Sequence, residues 1–120
     1  MTRSQIRKLD QLWSQIIRSK GECEVCGKLQ NECQLHPHHY IGRRNRATRW
    51  DLDNGFCICA LHHTMGIESA HENPEWFRRE ALRLRGDKWL KEIYRKSNQI
   101  FKKTFEQIYK ELKKYDRTKY

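Results

Sequence analysis

The sequence predicts an α+β fold: a small unit of two short strands, rich in cysteine and histidine, flanked by an N-terminal helix and a long C-terminal helical extension. Three observations predict it. All five cysteines and all six histidines lie between Cys23 and His71. Both flanks repeat apolar residues at three- and four-residue steps, as amphipathic helices do. Between them, two short apolar runs bracket a polar loop, as paired strands would. The 120 residues suit a single domain. It divides into an N-terminal amphipathic helix (1–20), a central unit (21–72) and C-terminal basic helices (73–120).

In chain order, Ile6, Leu9, Trp13, Ile16 and Ile17 place a helix over residues 3–19, which Gly21 stops. Its expected task is to cover one side of the central unit. From Gly21 to Pro37 helical periodicity is absent, and Cys23-x-x-Cys26-Gly27 reads as a knuckle turn. Residues 38–41 form one short strand. Phe56-Cys57-Ile58-Cys59 forms a second, entered through the turn signal Asp53-Asn54-Gly55. The loop between them, Gly42 to Arg49, carries four arginines and is too polar for the core. Residues 64–72 carry no assignable pattern. Asn73-Pro74 reads as an N-cap with proline at the first helical position, opening a helix through Trp76, Phe77, Ala81 and Leu84 that stops at Gly86. Asp87 caps another, in which Leu90, Ile93, Tyr94, Ile100, Phe101, Phe105, Ile108 and Leu112 keep helical spacing. Its expected length is about 25 residues, or about 38 Å at 1.5 Å per residue. That exceeds what the central unit can cover, so part of the apolar stripe should meet either the N-terminal helix or a second copy in a homodimer.

With 37% hydrophobic residues, 33% charged residues and a mean hydropathy of −1.04, the stretch around the cysteines is short of core. A structural metal or a partner surface is the expected supplement. Lys and Arg total 25 against 15 Asp and Glu, a net charge of +10 whose field attracts polyanions, nucleic acid first. No apolar run approaches the roughly 18 residues of a membrane span, and the N-terminus lacks a signal-peptide core. The expectation is a soluble, cytoplasmic protein with no membrane partner.

Cys23-x-x-Cys26 and Cys59-x-x-His62, separated by 32 residues, match two knuckles that together supply four tetrahedral ligands. Thiolates and an imidazole at this spacing favour a structural Zn²⁺ over ions that want oxygen. Four protein ligands leave no open position, so this zinc closes the fold. Cys33 and Cys57 read as small core residues, Cys57 on the expectation that it points to the other face of its strand from Cys59.

Once those ligands are set aside, His38, His39, Asn54, His63 and His71 remain as a second cluster. Here the chain resembles the HNH nuclease family, whose ββα-metal unit clasps one divalent ion. The matching residues are His38-His39-Tyr40-Ile41, Asp53-Asn54-Gly55 and Cys59-Ala60-Leu61-His62-His63, with Cys23-Glu24-Val25-Cys26 upstream as in zinc-stapled members. The arginine-rich loop is most similar to phage recombination nucleases of the NinG and Ref kinds. The resemblance implies a DNA endonuclease that hydrolyses phosphodiester bonds with one catalytic ion. It makes His39 the general base, a role suited to a group with a pKa near neutrality. It makes His38 a ligand of the catalytic ion and His63 the second. Asn54 either ligates that ion or braces the loop that carries the base, and bracing is favoured. His71 either ligates or caps the turn before Asn73-Pro74, and His36 does neither. A histidine-rich pocket leaves Mg²⁺, Mn²⁺, Ni²⁺ and Zn²⁺ open.

Arg43, Arg44, Arg46 and Arg49 should flank the cleft and grip phosphates, unless Asp51, Asp53 or Glu32 pairs with one or more of them. The alternative to an enzyme is a non-catalytic, zinc-stabilised nucleic-acid-binding module. The His38-His39 pair and Asn54 argue against it, because binding alone needs no base beside an ion.

Overall fold

The computed structural model, described for residues 1–116, has an α+β fold. The order is α1 (Arg3–Arg18), β1 (Leu35–His39), α2 (Arg46–Arg49), a 3-10 turn (Leu52–Asn54), β2 (Gly55–Cys59), a π-helical turn (Leu61–Met65), α3 (Pro74–Ser97) and α4 (Phe105–Lys113). No helix among the described residues is long and apolar enough to cross a membrane.

β1 and β2 pair as an antiparallel ribbon, with His36 opposite Ile58, His38 opposite Phe56 and His39 opposite Gly55. β1 therefore starts before the expected 38–41 and includes Pro37. The ladder shows why proline fits. Tyr40 donates to the Asn54 carbonyl and Ala60 to the Gln34 carbonyl, each at 2.9 Å, so the hydrogen-bonded pairs fall at even-numbered β1 residues. Pro37, opposite Cys57, sits where an N–H would point away from the partner strand.

The other edge of β2 is taken by the knuckle. Glu24 donates its backbone N–H to the Cys57 carbonyl at 2.8 Å, and its carboxylate accepts from the Cys57 N–H at 2.6 Å. This seats the Cys23–Cys26 turn beside β2. Two-residue spacing keeps side chains on one face of a regular strand, so alternation does not separate Cys57 from Cys59. The strand end does: Ala60 turns to helical angles (φ −53°, ψ −38°). Cys57 packs with the α1 side chains, while Cys59 lies with Cys23.

The ribbon divides the core. On one side Leu9, Leu12, Trp13 and Ile17 of α1 meet Trp50, Cys57 and, from α4, Ile108 and Leu112. On the other, Phe56 and Ile58 pack on Trp76, Phe77 and Ala81 of α3. α1 approaches β2 so closely that a β-carbon at Gly55 would overlap Ile17 and Trp13.

Two further expectations are corrected, and one unassigned segment gains a structure. The loop of residues 42–49 is not wholly outside the core: Asn45 caps the short α2 by accepting from the Thr48 N–H at 3.2 Å, and Thr48 is 0% exposed. Residues 64–72, without a readable pattern, fold back on themselves, with Ala70 donating to the His62 carbonyl (2.7 Å) and His71 to the His63 carbonyl (3.1 Å). The long final helix is two helices. The helix from Asn73-Pro74 is interrupted at Gly86 as expected, where φ 85° and ψ 174° are non-helical and favour glycine, and the helix that resumes after it ends at Ser97 instead of running on for about 25 residues. A new helix begins only at Phe105, with Thr104 and Gln107 forming a capping box. The break turns α4 back onto α1. The stripe offered to either α1 or a second copy is thus covered by α1 at Ile108 and Leu112, each worth about 1.5–3 kcal/mol when fully buried. Ile100, in the link, stays 81% exposed.

Candidate metal centres

Cys23, Cys26 and Cys59 bring their sulfurs within 4.8 Å of one another, close enough to hold a metal ion together. Cys26 and Cys59 are 3.9 Å apart, near the edge of about 3.8 Å that a tetrahedron with Zn–S bonds of about 2.3 Å requires. Burial works against a thiolate at Cys23, but backbone hydrogen bonds from Cys26, Cys59 and Val25 outweigh it and hold the group below its ordinary value. Burial and the neighbouring thiols push Cys26 up to about 11. A cation arriving here would displace the remaining protons.

His62 is not drawn into this group. Its Nδ1 lies 2.9 Å from the Glu68 carbonyl, and its ring stacks on Trp76 with centroids 5.5 Å apart. A carbonyl can only accept, so Nδ1 carries the proton and the lone pair is on Nε2, the form a metal ligand needs. Cys33 keeps its sulfur against the Leu29 carbonyl at 3.4 Å, outside the group.

The second group is His38, His63 and His71, whose ligand nitrogens also lie within 4.8 Å of one another. His38 comes from β1, His63 from the π-helical turn and His71 from the end of the folded-back segment. The two backbone bonds that close that segment carry His71 to His63, eight positions earlier in the chain. Their Nε2 atoms are 3.0 Å apart. His38 is set edge-on to Phe77 at 4.9 Å. Burial, and then the neighbouring histidines, lower His38 to about 3 and His63 to about 4. Both rings are therefore neutral near pH 7, with lone pairs for a cation. Three nitrogen donors without a carboxylate fit a borderline transition metal better than magnesium. His36, on the same strand face as His38, places its Nδ1 3.0 Å from the Nδ1 of His63.

The chain matches no protein-family model, no curated protein and no solved structure.

His39 faces the other side of the ribbon and does not join the three histidines. It lies flat on Trp13, with ring centroids 3.8 Å apart and 10° between planes, and its Nε2 is 2.8 Å from the Arg49 carbonyl. That carbonyl assigns the proton to Nε2 and leaves the lone pair on Nδ1, which makes no hydrogen bond among the described residues. Burial lowers its pKa, against the opposing pull of the Arg49 hydrogen bond, and favours the neutral, basic form.

Asn54 is fully buried and ties both ends of the arginine loop. Its Oδ1 accepts from the Ile41 N–H at 2.8 Å, and its Nδ2 donates to the carbonyls of Ile41 (2.9 Å) and Thr48 (3.1 Å). It braces the loop, with its side-chain oxygen and amide nitrogen both spent on backbone groups. Arg43, Arg44 and Arg46 are exposed. Arg49 is claimed by an acid 39 residues away: its Nε and Nη2 donate to the two Asp10 oxygens at 3.1 and 2.7 Å. Asp10 also accepts from Trp50 Nε1 at 2.9 Å. Asp10, which the sequence did not single out, and Trp13, read only as an apolar position of a packing helix, thus hold the segment that orients His39. A cleft of about 520 Å³ between α2 and the 98–104 link, lined in part by Arg46, Trp50, Phe101 and Lys102, contains none of the histidines.

Proposed function

We propose that this chain is a divalent-metal-dependent DNA endonuclease of the HNH kind, with one ion at His38, His63 and His71 and His39 as general base. The observation that carries the reading is the convergence of those three imidazoles, next in sequence to a histidine held in one tautomer by an asparagine-braced loop. Bound there, the ion supplies positive charge against the scissile phosphate and the leaving oxygen. His39 takes a proton from water at Nδ1, the ring nitrogen left with a lone pair. Trp13 and the Arg49 carbonyl keep the ring from turning that nitrogen away. Arg43 and Arg44, which have no acid partner among the described residues, grip phosphates on either side of the cut. Cys23, Cys26 and Cys59 hold a structural zinc; His62, the fourth ligand expected from the spacing, stands outside the three sulfurs with its Nε2 lone pair unspent and would have to move in to complete the site.

One observation favours the non-catalytic binding module instead: His39 stacks on Trp13, on the ribbon face opposite His38. The unspent lone pair of His39, on a ring held in place by Trp13 and the Arg49 carbonyl, supports the enzyme. The deciding experiment is incubation of the purified protein with supercoiled plasmid and Mn²⁺, Mg²⁺, Ni²⁺ or Zn²⁺. Nicked or linear product is expected. His39→Ala should lower cleavage by about 10²- to 10⁴-fold and leave DNA retardation on gels unchanged. Failure to cut plasmid and branched DNA with every ion would leave the binding module standing.

A further inference from the structure

His36 has a bonding arrangement that the proposed chemistry does not use. Its position two residues before His38 puts it on the same face of β1. Its ring meets His63 edge-on at 5.2 Å, with the two Nδ1 atoms 3.0 Å apart. The opposite nitrogen of His63, Nε2, is 3.0 Å from Nε2 of His71. His63 is therefore bonded at both nitrogens, with one neighbour inside the ligand group and one outside it. A neutral imidazole has one proton and one lone pair. If the proton of His63 is on Nε2, it points at His71 and blocks the lone pair a cation needs. If it is on Nδ1, it needs an acceptor, and the one the structure places there is Nδ1 of His36.

We propose that His36 is a positioning residue for the histidine metal centre, accepting the Nδ1–H of His63 so that the Nε2 lone pair of His63 faces the ion. His36 then carries its own proton on Nε2. The inference rests on the reading of His38, His63 and His71 as a metal site. Outer partners of this kind fix both ring orientation and tautomer. The sequence hid the role because His36 lies outside the residues that resemble the HNH strand, and only the ribbon brings it to His63.

The test is calorimetric titration with Co²⁺ of protein carrying one equivalent of zinc, which the three thiols take first, alongside three variants. His38→Ala removes a proposed ligand and identifies the binding event that belongs to the histidines. His36→Leu should weaken that event by about 10- to 100-fold. His36→Asn, whose Oδ1 can take the place of Nδ1 as acceptor, should restore most of the affinity. Nitrogen NMR of the Zn²⁺-saturated protein should show the His63 proton on Nδ1. A His36→Leu titration identical to wild type, with His38→Ala flat, would overturn the role of His36 alone. So would a His36→Asn protein as weak as His36→Leu. A titration that His38→Ala leaves intact would instead overturn the metal centre.

Discussion

Asp10 of α1 holds Arg49 of α2 through two hydrogen bonds of 3.1 and 2.7 Å, and the carbonyl of that same arginine receives Nε2 of His39 at 2.8 Å. The N-terminal helix therefore does more than cover the ribbon. It sets the register of the loop that fixes one histidine in one tautomer, with Trp13 as the surface the ring rests on.

Removing the carboxylate should uncouple this arrangement. Asp10→Ala leaves Arg49 and Trp50 Nε1 without their acceptor and should cost about 1–3 kcal/mol of stability. On the proposed reading, plasmid cleavage should fall by about 10- to 100-fold through misplacement of His39 as the base, while DNA affinity holds. Urea denaturation and single-turnover cleavage check the two parts separately.

The arginines should separate by partner. Arg43→Ala and Arg44→Ala should each weaken DNA binding and reduce the slope of log affinity against log salt by about 0.9 for each phosphate no longer neutralised. Arg49→Ala should leave that slope unchanged and reproduce the stability loss of Asp10→Ala, because its guanidinium faces Asp10. Fluorescence anisotropy over a salt series makes the distinction, and a reduced slope for Arg49→Ala would return it to the phosphate-binding set.

Gly55 is where α1 comes closest to the ribbon, and a methyl group there would meet Ile17 and Trp13. Gly55→Ala should destabilise the fold by about 1–3 kcal/mol through overpacking. Displacement of Trp13 should also reach His39, so cleavage should drop further than the smaller folded fraction explains. A variant with wild-type melting temperature would show that the packing here is slack.

The cysteine group should be a folding element. Cys26→Ser is expected to lower bound zinc, measured by atomic emission, together with the melting temperature, because three sulfurs join the knuckle to the end of β2. Full zinc stoichiometry in the variant would remove Cys26 from the ligand set.

Metal-free protein should lose stability in acid. His38 and His63 are held at about 3 and about 4, below the ordinary 6.5 of the unfolded chain. Between those values the unfolded state binds more protons than the folded one, so stability rises with pH across the window and is fully present above about 6.5. The melting temperature of chelator-treated protein should therefore fall as pH drops from about 7 to about 4. His38→Leu should flatten the dependence. An equally steep loss in that variant would assign the acid sensitivity elsewhere.

The sequence alone determined what depends on local chemistry. Periodicity placed α1, Asn73-Pro74 opened α3, Gly86 marked its bend, and cysteine spacing named the three sulfurs that converge. The break before α4 was also written locally, as the Thr104-x-x-Gln107 capping box, but unbroken apolar spacing across residues 98–104 masked it. Spacing reports which side chains need burial, and says nothing of where the chain turns to bury them. The tertiary structure decided what depends on long-range geometry. It sent Arg49 to Asp10, laid His39 on Trp13, folded the 64–71 segment so that His71 reaches His63, and set His36 behind it. Each of these rests on a partner that becomes a neighbour only after the ribbon has formed and α1 has packed against it.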